Sequence, residues 1–316
     1  MYVLRRPILA LSANTAVRDA LVAAPVTSSV VRRFVAGETA DDAVRTVREL
    51  TGAGLAVSLD HLGEDTVDPA AAQAVVDAYV RILEQLEQVG LVAGAEVSVK
   101  LSAVGLTLPS VAGQPTGRDR AAAGAATIAE AAYQRGARMT LDMEDHTTVE
   151  DTLEVLSDLR TDHPDIGVAI QAMLRRTPSD LAQLTGPGSR VRLVKGAYDE
   201  PASDAYAEPE EVDLAYVRAL KVLMAGQGYP MVGTHDPRLI AIAGRLAVDN
   251  GRARDGYEHQ MLYGIRPDEQ RRLVGDGHRV RVYVPYGVDW YGYLTRRLAE
   301  RPANMAFFLR AMASRG

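Results

Sequence analysis

The segment YGYLTRRLAERPANMAFFLRAM (291–312) carries a tyrosine, two adjacent arginines and a glutamate: Tyr293, Arg296, Arg297 and Glu300. On a helix, offsets of three, four and seven residues align these side chains on one face. Two guanidiniums beside an aromatic ring can grip a carboxylate through forked hydrogen bonds, and Glu300, one turn beyond Arg296, can hold that arginine in place. A solvated helix face accounts for an isolated Arg-Arg pair equally well. The meaning of the pair therefore depends on what the fold brings beside it.

The fold is legible as an alternation. Eight short apolar or β-branched runs, at 54–60, 96–102, 138–143, 166–173, 191–198, 229–235, 257–264 and 279–285, are separated by longer helical patterns such as 68–90, 118–136, 148–160, 209–228 and 236–251. Gly136, Gly228 and Gly251 stand just past the last periodic residue of three of these, as helix stops. Short runs flanked by turn residues read as buried parallel strands, and eight of them predict a closed (β/α)8 barrel of the α/β class. Residues 1–53 are expected to form a helical arm packed on the barrel, and 54–316 the catalytic barrel, ending in a functional helix.

In such a barrel the active site lies at the C-terminal ends of the strands. Those ends carry Asp60, Lys100, Asp142, Gln171, Lys195, Thr234 with His235, Gln260 and Tyr283. The chain has only three lysines, Lys100, Lys195 and Lys221, against thirty-two arginines, and two of the three fall on this ring. A lysine at the end of a buried strand costs desolvation unless it meets an anion or a cofactor. The bland alternative is a structural salt bridge to a carboxylate such as Asp142.

Composition narrows the classes. A net charge of -6 and a pI near 5.6 argue against a nucleic-acid partner. The N-terminal stretch lacks the length and cleavage signal of a secretory peptide, and no run is long enough to span a bilayer, so a cytoplasmic place is expected. With no cysteine, thiolate catalysis and zinc-thiolate sites are excluded. Asp142, Glu144, Asp145 and His146 in LDMEDHTTVED could suggest a metal, but Thr147 and Glu150 read as a capping box at a helix start, so no metal is assigned. GAG at 52–54 lacks the third glycine of a dinucleotide fingerprint, and LDHLGE lacks the His-x-His pair of a barrel metallohydrolase. The stripe Met305, Phe307, Phe308, Leu309, Met312 reads as core, a subunit contact or a membrane-surface contact.

The motifs VSLDHLGE, VSVKLSAVG, LDMEDH, VRLVKGAY, GTHD, YEHQMLYGI, RVYVPYG and YLTRRLAE occur in an order and at a spacing similar to those of bacterial proline dehydrogenases, from about residue 33 onward. VRLVKGAY together with YLTRRLAE is the specific combination. The resemblance implies a distorted barrel with non-covalent FAD that oxidises L-proline to Δ1-pyrroline-5-carboxylate, as a stand-alone enzyme. It implies that Arg296 and Arg297 bind the substrate carboxylate, with Tyr283, Tyr293 and Leu262 around the ring. Lys100 is implied as a further substrate contact and Asp142 as the acid beside the flavin. Flavin-contacting positions implied in the same way are Gln171, Arg192, Val194, Lys195, Gly196, Ala197, Tyr198, Thr234, His235, Gln260 and, through its link to the arginine pair, Glu300. It further implies electron transfer to a quinone and, with it, a peripheral place at the inner face of the cytoplasmic membrane. The acidic segment 198–216 stands where relatives often carry a basic residue near the flavin's adenylate half. A lysine that forms a Schiff base, as in barrel aldolases, is the competing reading of Lys100 or Lys195. A binding protein that kept the pocket and lost turnover is a third.

Overall fold

A computed structural model describes residues 31–64 and 66–294. Arg296, Arg297 and Glu300 lie outside the described residues. Eight parallel strands close a barrel in sequence order. They are β1 (Ala56–His61), β2 (Glu96–Val99), β3 (Arg138–Leu141), β4 (Gly167–Gln171), β5 (Arg190–Val194), β6 (Tyr229–Gly233), β7 (Glu258–Leu262) and β8 (Val280–Tyr286). Every predicted run overlaps one of them, and five contain the strand whole. Closure is made by six register pairs between β1 and β8, from Ala56 opposite Arg281 to His61 opposite Tyr286.

The helices are α1 (Ala40–Gly52), α2 (Pro69–Gln88), α3 (Gly117–Gln134), α4 (Val149–Leu159), α5 (Thr177–Ala182), α6 (Pro209–Ala225), α7 (Pro237–Asp249) and α8 (Pro267–Gly275). Their starts follow from local chemistry. Asp68 accepts from the Ala71 N–H and precedes Pro69, while Thr39 with Asp42 and Thr116 with Asp119 form reciprocal capping boxes. The box expected at Thr147 and Glu150 does not form. Thr147 instead donates to Asp145, the helix starts two residues later, and Glu150 pairs with Arg176 at 2.7 Å.

Strand alternation sorts the barrel into two surfaces. Val57, Leu59, Val97, Val99, Leu141, Val168, Leu193 and Val282 are fully or almost fully buried and belong to the main apolar core with the helix faces. Helix α2 buries Val75, Val76, Tyr79, Ile82, Leu83 and Leu86 at helical spacing. Each fully buried leucine or isoleucine there contributes ~1.5–3 kcal/mol. Tyr79 also donates to the Ser98 carbonyl at 2.6 Å and accepts from the His61 N–H at 3.1 Å, which locks α2 to both β1 and β2. Replacing it by phenylalanine would orphan that buried pair.

The inner surface differs from the branched aliphatic filling usual in such barrels. Asp60, Glu96, Asp142 and Glu258 are buried there with Lys100, Arg190, Arg192 and Arg281, so four carboxylates face four cations. Buried charges persist only when paired and hydrogen-bonded, and this set balances to zero.

At the end of the described chain, a helix begins at Trp290. Tyr293 and Leu294 on it pack with Val31, Phe34, Val35 and Leu62, and Ile265 and Tyr283 lean on that cluster. The Ala36 N–H donates to the Pro285 carbonyl at 2.9 Å, so the segment before α1 is tied to β8 near the strand ends.

Candidate active site

The inner charges fall into two tiers. In the lower tier the Arg281 guanidinium donates to both Glu258 oxygens, at 2.8 and 3.3 Å, and to the Val57 carbonyl at 2.7 Å. Arg190 lies 3.5 Å from Glu96 and stacks 4.6 Å over the Tyr229 ring. Burial pushes the Glu96 carboxyl up, but Arg281, Arg192 and Arg190 outweigh it and hold the group at about 2.

Arg192 joins the tiers. Its Nη2 donates to Glu96 at 2.7 Å and Ser58 at 3.3 Å, its Nη1 to Asp142 at 2.6 Å and Ser98 at 2.7 Å, and its Nε to Gln260 at 2.5 Å. Gln260 in turn donates to Glu258 at 2.7 Å. A fully buried guanidinium is thus fixed by five hydrogen bonds to five residues.

The upper tier faces the barrel mouth. Lys100, Asp142 and Lys195 each stand one residue beyond a strand's last residue, whereas Gln260 and Tyr283 lie inside their strands. Lys100 Nζ is 2.7 Å from Asp60 Oδ1, 3.7 Å from Asp142 Oδ2 and 3.4 Å from the Tyr283 hydroxyl. Tyr283 donates to Asp142 Oδ2 at 2.6 Å, and its ring lies 5.4 Å from the Arg192 guanidinium. Burial works against a charged Lys100, but Asp60 and Asp142 outweigh it and push its pKa up. Burial likewise opposes the Asp142 carboxylate, and Arg192, Lys100 and the hydrogen bonds from Tyr283 and Ser98 hold its pKa below the usual value. For Asp60 burial prevails, and its carboxyl is pushed up despite Lys100.

Around this group the mouth keeps a partly exposed apolar shelf. Val194 follows the inward-facing Arg192 by two residues, and Gly233, Leu262 and Tyr283 are also half-buried. The shelf occupies the β5–β8 side, and the Asp60–Lys100–Asp142 group the β1–β3 side. Such a floor with donors and cations at its edge suits a flat ring system with polar edges.

The remaining predicted residues are held by neighbours. Gln171 donates to the Glu144 carbonyl at 2.7 Å. Glu144 itself caps the 3-10 turn after β2 by accepting from the Ser102 N–H and hydroxyl, and burial lifts its carboxyl to about 6. His235 accepts from the Leu262 N–H through Nε2 at 2.8 Å, so a neutral ring carries its proton on Nδ1, and its carbonyl accepts from Arg266 at 2.7 Å. The Thr234 hydroxyl accepts from the Asp236 N–H at 3.2 Å. Lys195 is ion-paired with Asp213 and lies 3.7 Å from Asp236, and Arg238 bridges the same two acids. Gly196 has φ +112, and a Cβ there would run into the Met173 thioether. Glycine at this position lets the loops after β4 and β5 close on one another. Ala197 and Tyr198 follow on that same half-buried loop.

Residue types alone did not single out Glu96, Arg190, Glu258 and Arg281, the lower tier. Their signal was present as charged residues recurring within otherwise apolar strands. Of the suspected metal cluster, His146 instead pairs with Glu200 at 2.5 Å and Asp145 caps the following turn. An open hollow of about 370 Å³ lined by His146, Leu174, Arg175, Arg176, Ser203 and Asp204 lies beside the ring and includes none of its members.

The comparisons agree with this architecture. Residues 43–310 match the family model described as proline dehydrogenase. The chain is 38% identical over 288 residues to the proline dehydrogenase of Deinococcus radiodurans, covering 90% of each chain. To proline dehydrogenase 1 of Bacillus subtilis it is 36% identical over 281 residues, covering 89% of this chain and 90% of the other. Among solved structures, proline utilization A (PutA) from Bdellovibrio bacteriovorus, inactivated by N-propargylglycine, superposes with a TM-score of 0.76 at 24% identity. That match covers 86% of this chain and 32% of the longer one, and it carries the fold. A closed eight-stranded barrel with this mouth, a family match across most of the chain and relatives matched over 90% of their own length together establish that the chain belongs to the proline dehydrogenase family.

Proposed function

We propose that the protein oxidises L-proline to Δ1-pyrroline-5-carboxylate with FAD, and that a quinone takes the electrons onward. The observation that carries this reading is the Asp60–Lys100–Asp142–Tyr283 group beside the half-buried Val194 and Leu262 shelf at one barrel mouth. Bound FAD supplies the hydride acceptor. The residues suited to hold it are Val194, Lys195, Gly196, Ala197 and Tyr198 after β5, Gln171 at the end of β4, Thr234 and His235 after β6, and Gln260 on β7. Arg192, fixed from below by Glu96 and Gln260, keeps a permanent positive charge under that site. In this reading Arg296, Arg297 and Lys100 bind the substrate carboxylate, Leu262, Tyr283 and Tyr293 surround the ring, and Glu300 holds the arginine pair. Rate enhancement then comes mainly from orientation, since a clamped carboxylate sets the ring carbon that loses hydride.

The Schiff-base alternative needs an unprotonated lysine. Two carboxylates hold Lys100 cationic, which works against it there, and the Lys195 amine is already engaged by Asp213. No helix among the described residues is long and apolar enough to cross a membrane, and the contact proposed with a quinone-bearing membrane is peripheral. The test is turnover of L-proline with an artificial dye acceptor. Turnover is expected, and its absence with every cyclic imino acid tried would remove the proposal.

A further inference from the structure

Imine formation requires the substrate nitrogen to give up a proton before its lone pair can form the C=N bond. The groups available at the mouth are unequal as acceptors. Asp142 already accepts three hydrogen bonds, Oδ1 from Ser98 and Arg192 and Oδ2 from Tyr283, and Arg192 holds it as the anion. Tyr283 spends its own proton on Asp142. Lys100, between two carboxylates, is already protonated. Asp60 stands apart. It is 0% exposed, its Oδ1 meets Lys100 at 2.7 Å, and its Oδ2 finds no donor among the described residues. An acid buried with an unpartnered oxygen gains by taking a proton.

We propose that Asp60, acting through Lys100, is the terminal acceptor of the proton that the substrate amine loses. The inference rests on the proline reading. The substrate N–H bond breaks and its proton passes to Lys100 Nζ, while a proton already on Nζ crosses the 2.7 Å hydrogen bond to Asp60 Oδ1. The nitrogen lone pair forms the C=N bond as the adjacent C–H electron pair leaves with its hydrogen for the flavin. Lys100 ends as it began, Asp60 ends protonated, and the substrate has lost two hydrogens, one as a proton to the relay and one as a hydride carrying both electrons. The groups facing Asp60 are Lys100 from β2, Asp142 from β3, Tyr283 and Tyr286 from β8, Tyr79 from α2 and its neighbour His61. Of these only Lys100 is a cation, and burial outweighs it in setting the Asp60 carboxyl high. The same burial that leaves Asp60 Oδ2 without a donor favours its taking the proton that Lys100 hands on, and that proton must leave before the next substrate reacts.

The experiment is rapid anaerobic mixing of the flavin-loaded protein with L-proline across pH, following flavin bleaching. Wild type is expected to slow on the acid side with a one-proton limb. Asp60→Asn keeps the shape and the acceptor oxygen facing Lys100 but cannot take the proton. Its bleaching rate is expected to fall on the order of 10²–10³-fold, as loss of a general base does, and its acid limb should disappear. Binding of a proline analogue with oxygen in place of the ring nitrogen should weaken less than tenfold. Lys100→Arg retains the charge and the pairing with Asp60 but cannot pass a proton on, so it should lose a similar factor even if Asp60→Asn does not fold. A variant that bleaches within a few fold of wild type, or one that slows equally at every pH with the acid limb intact, overturns the relay. Wild-type flavin that proline never bleaches is a different result, and it overturns the proline reading instead.

Discussion

The two tiers of charge inside the barrel hold the same inventory, two acids and two bases each, yet they are built for different ends. In the lower tier Glu96 and Glu258 are entirely buried, and Arg281 grips Glu258 with two nitrogens. In the upper tier Asp142 keeps 12% of its side-chain surface, Lys100 meets three oxygens at unequal distances and one Asp60 oxygen is unpartnered. Each tier thus keeps one buried polar atom without a partner among the described residues, Arg190 Nε below and Asp60 Oδ2 above, and what separates them is that the lower carboxylates are sealed and gripped by guanidiniums whereas the unpartnered atom above is a carboxylate oxygen beside the mouth. An unpartnered carboxylate oxygen can take a proton, whereas a guanidinium N–H cannot accept one.

The largest effect should come from breaking the floor. Arg281→Met leaves Glu258 buried without its bidentate partner and is expected to cost ~3–5 kcal/mol, measured by urea unfolding at neutral pH. The outer face of β7 sharpens the contrast. His259, next to Glu258, faces out against Tyr257 and His278, and burial brings its pKa down from the usual 6.5 to about 4. A group whose folded pKa is depressed stabilises the fold above its unfolded value and loses that contribution as pH falls. Between pH 6.5 and 4 this residue should account for about 3 kcal/mol of lost stability. His259→Gln should flatten that slope in melts taken at pH steps.

Lys100→Met probes the mouth in the same way and should cost less, on the order of 2 kcal/mol, because Asp60 can neutralise itself by taking a proton. The deficit should shrink as pH falls, since a raised carboxyl binds its proton more tightly folded than unfolded. Smallest of all, Tyr283→Phe removes one of three donors to Asp142 and should shift stability by about 1 kcal/mol in a thermal melt. A loss matching that of Arg281→Met would place mouth and floor in one class.

Much of this is legible in the amino-acid sequence. The eight strands could be read because their outward residues are apolar and turn residues bracket them, and parallel strands expose that pattern strongly. Lys100, Asp142, Gln260 and Tyr283 could be placed together because a barrel gathers strand ends at one mouth. The lower tier was not legible as a network. Glu96 and Arg190 lie at strand starts and meet across 94 residues of sequence, Arg192 reaches Glu96 across 96, and no local spacing encodes a pairing across a barrel. The Thr147–Glu150 box failed because Asp145, two residues earlier, captured Thr147 first, and an Asx turn competes directly with a cap. The need for glycine at 196 was not legible either, because the side chain it accommodates, Met173, comes from another loop of the barrel.

The central claim is that this mouth takes hydride from proline onto a flavin. It is tested most directly by the visible spectrum of the purified protein, followed by L-proline added without oxygen. The account predicts flavin bands that bleach on addition of proline. A protein that stays colourless after FAD is supplied, or flavin bands that proline leaves unchanged, would contradict it.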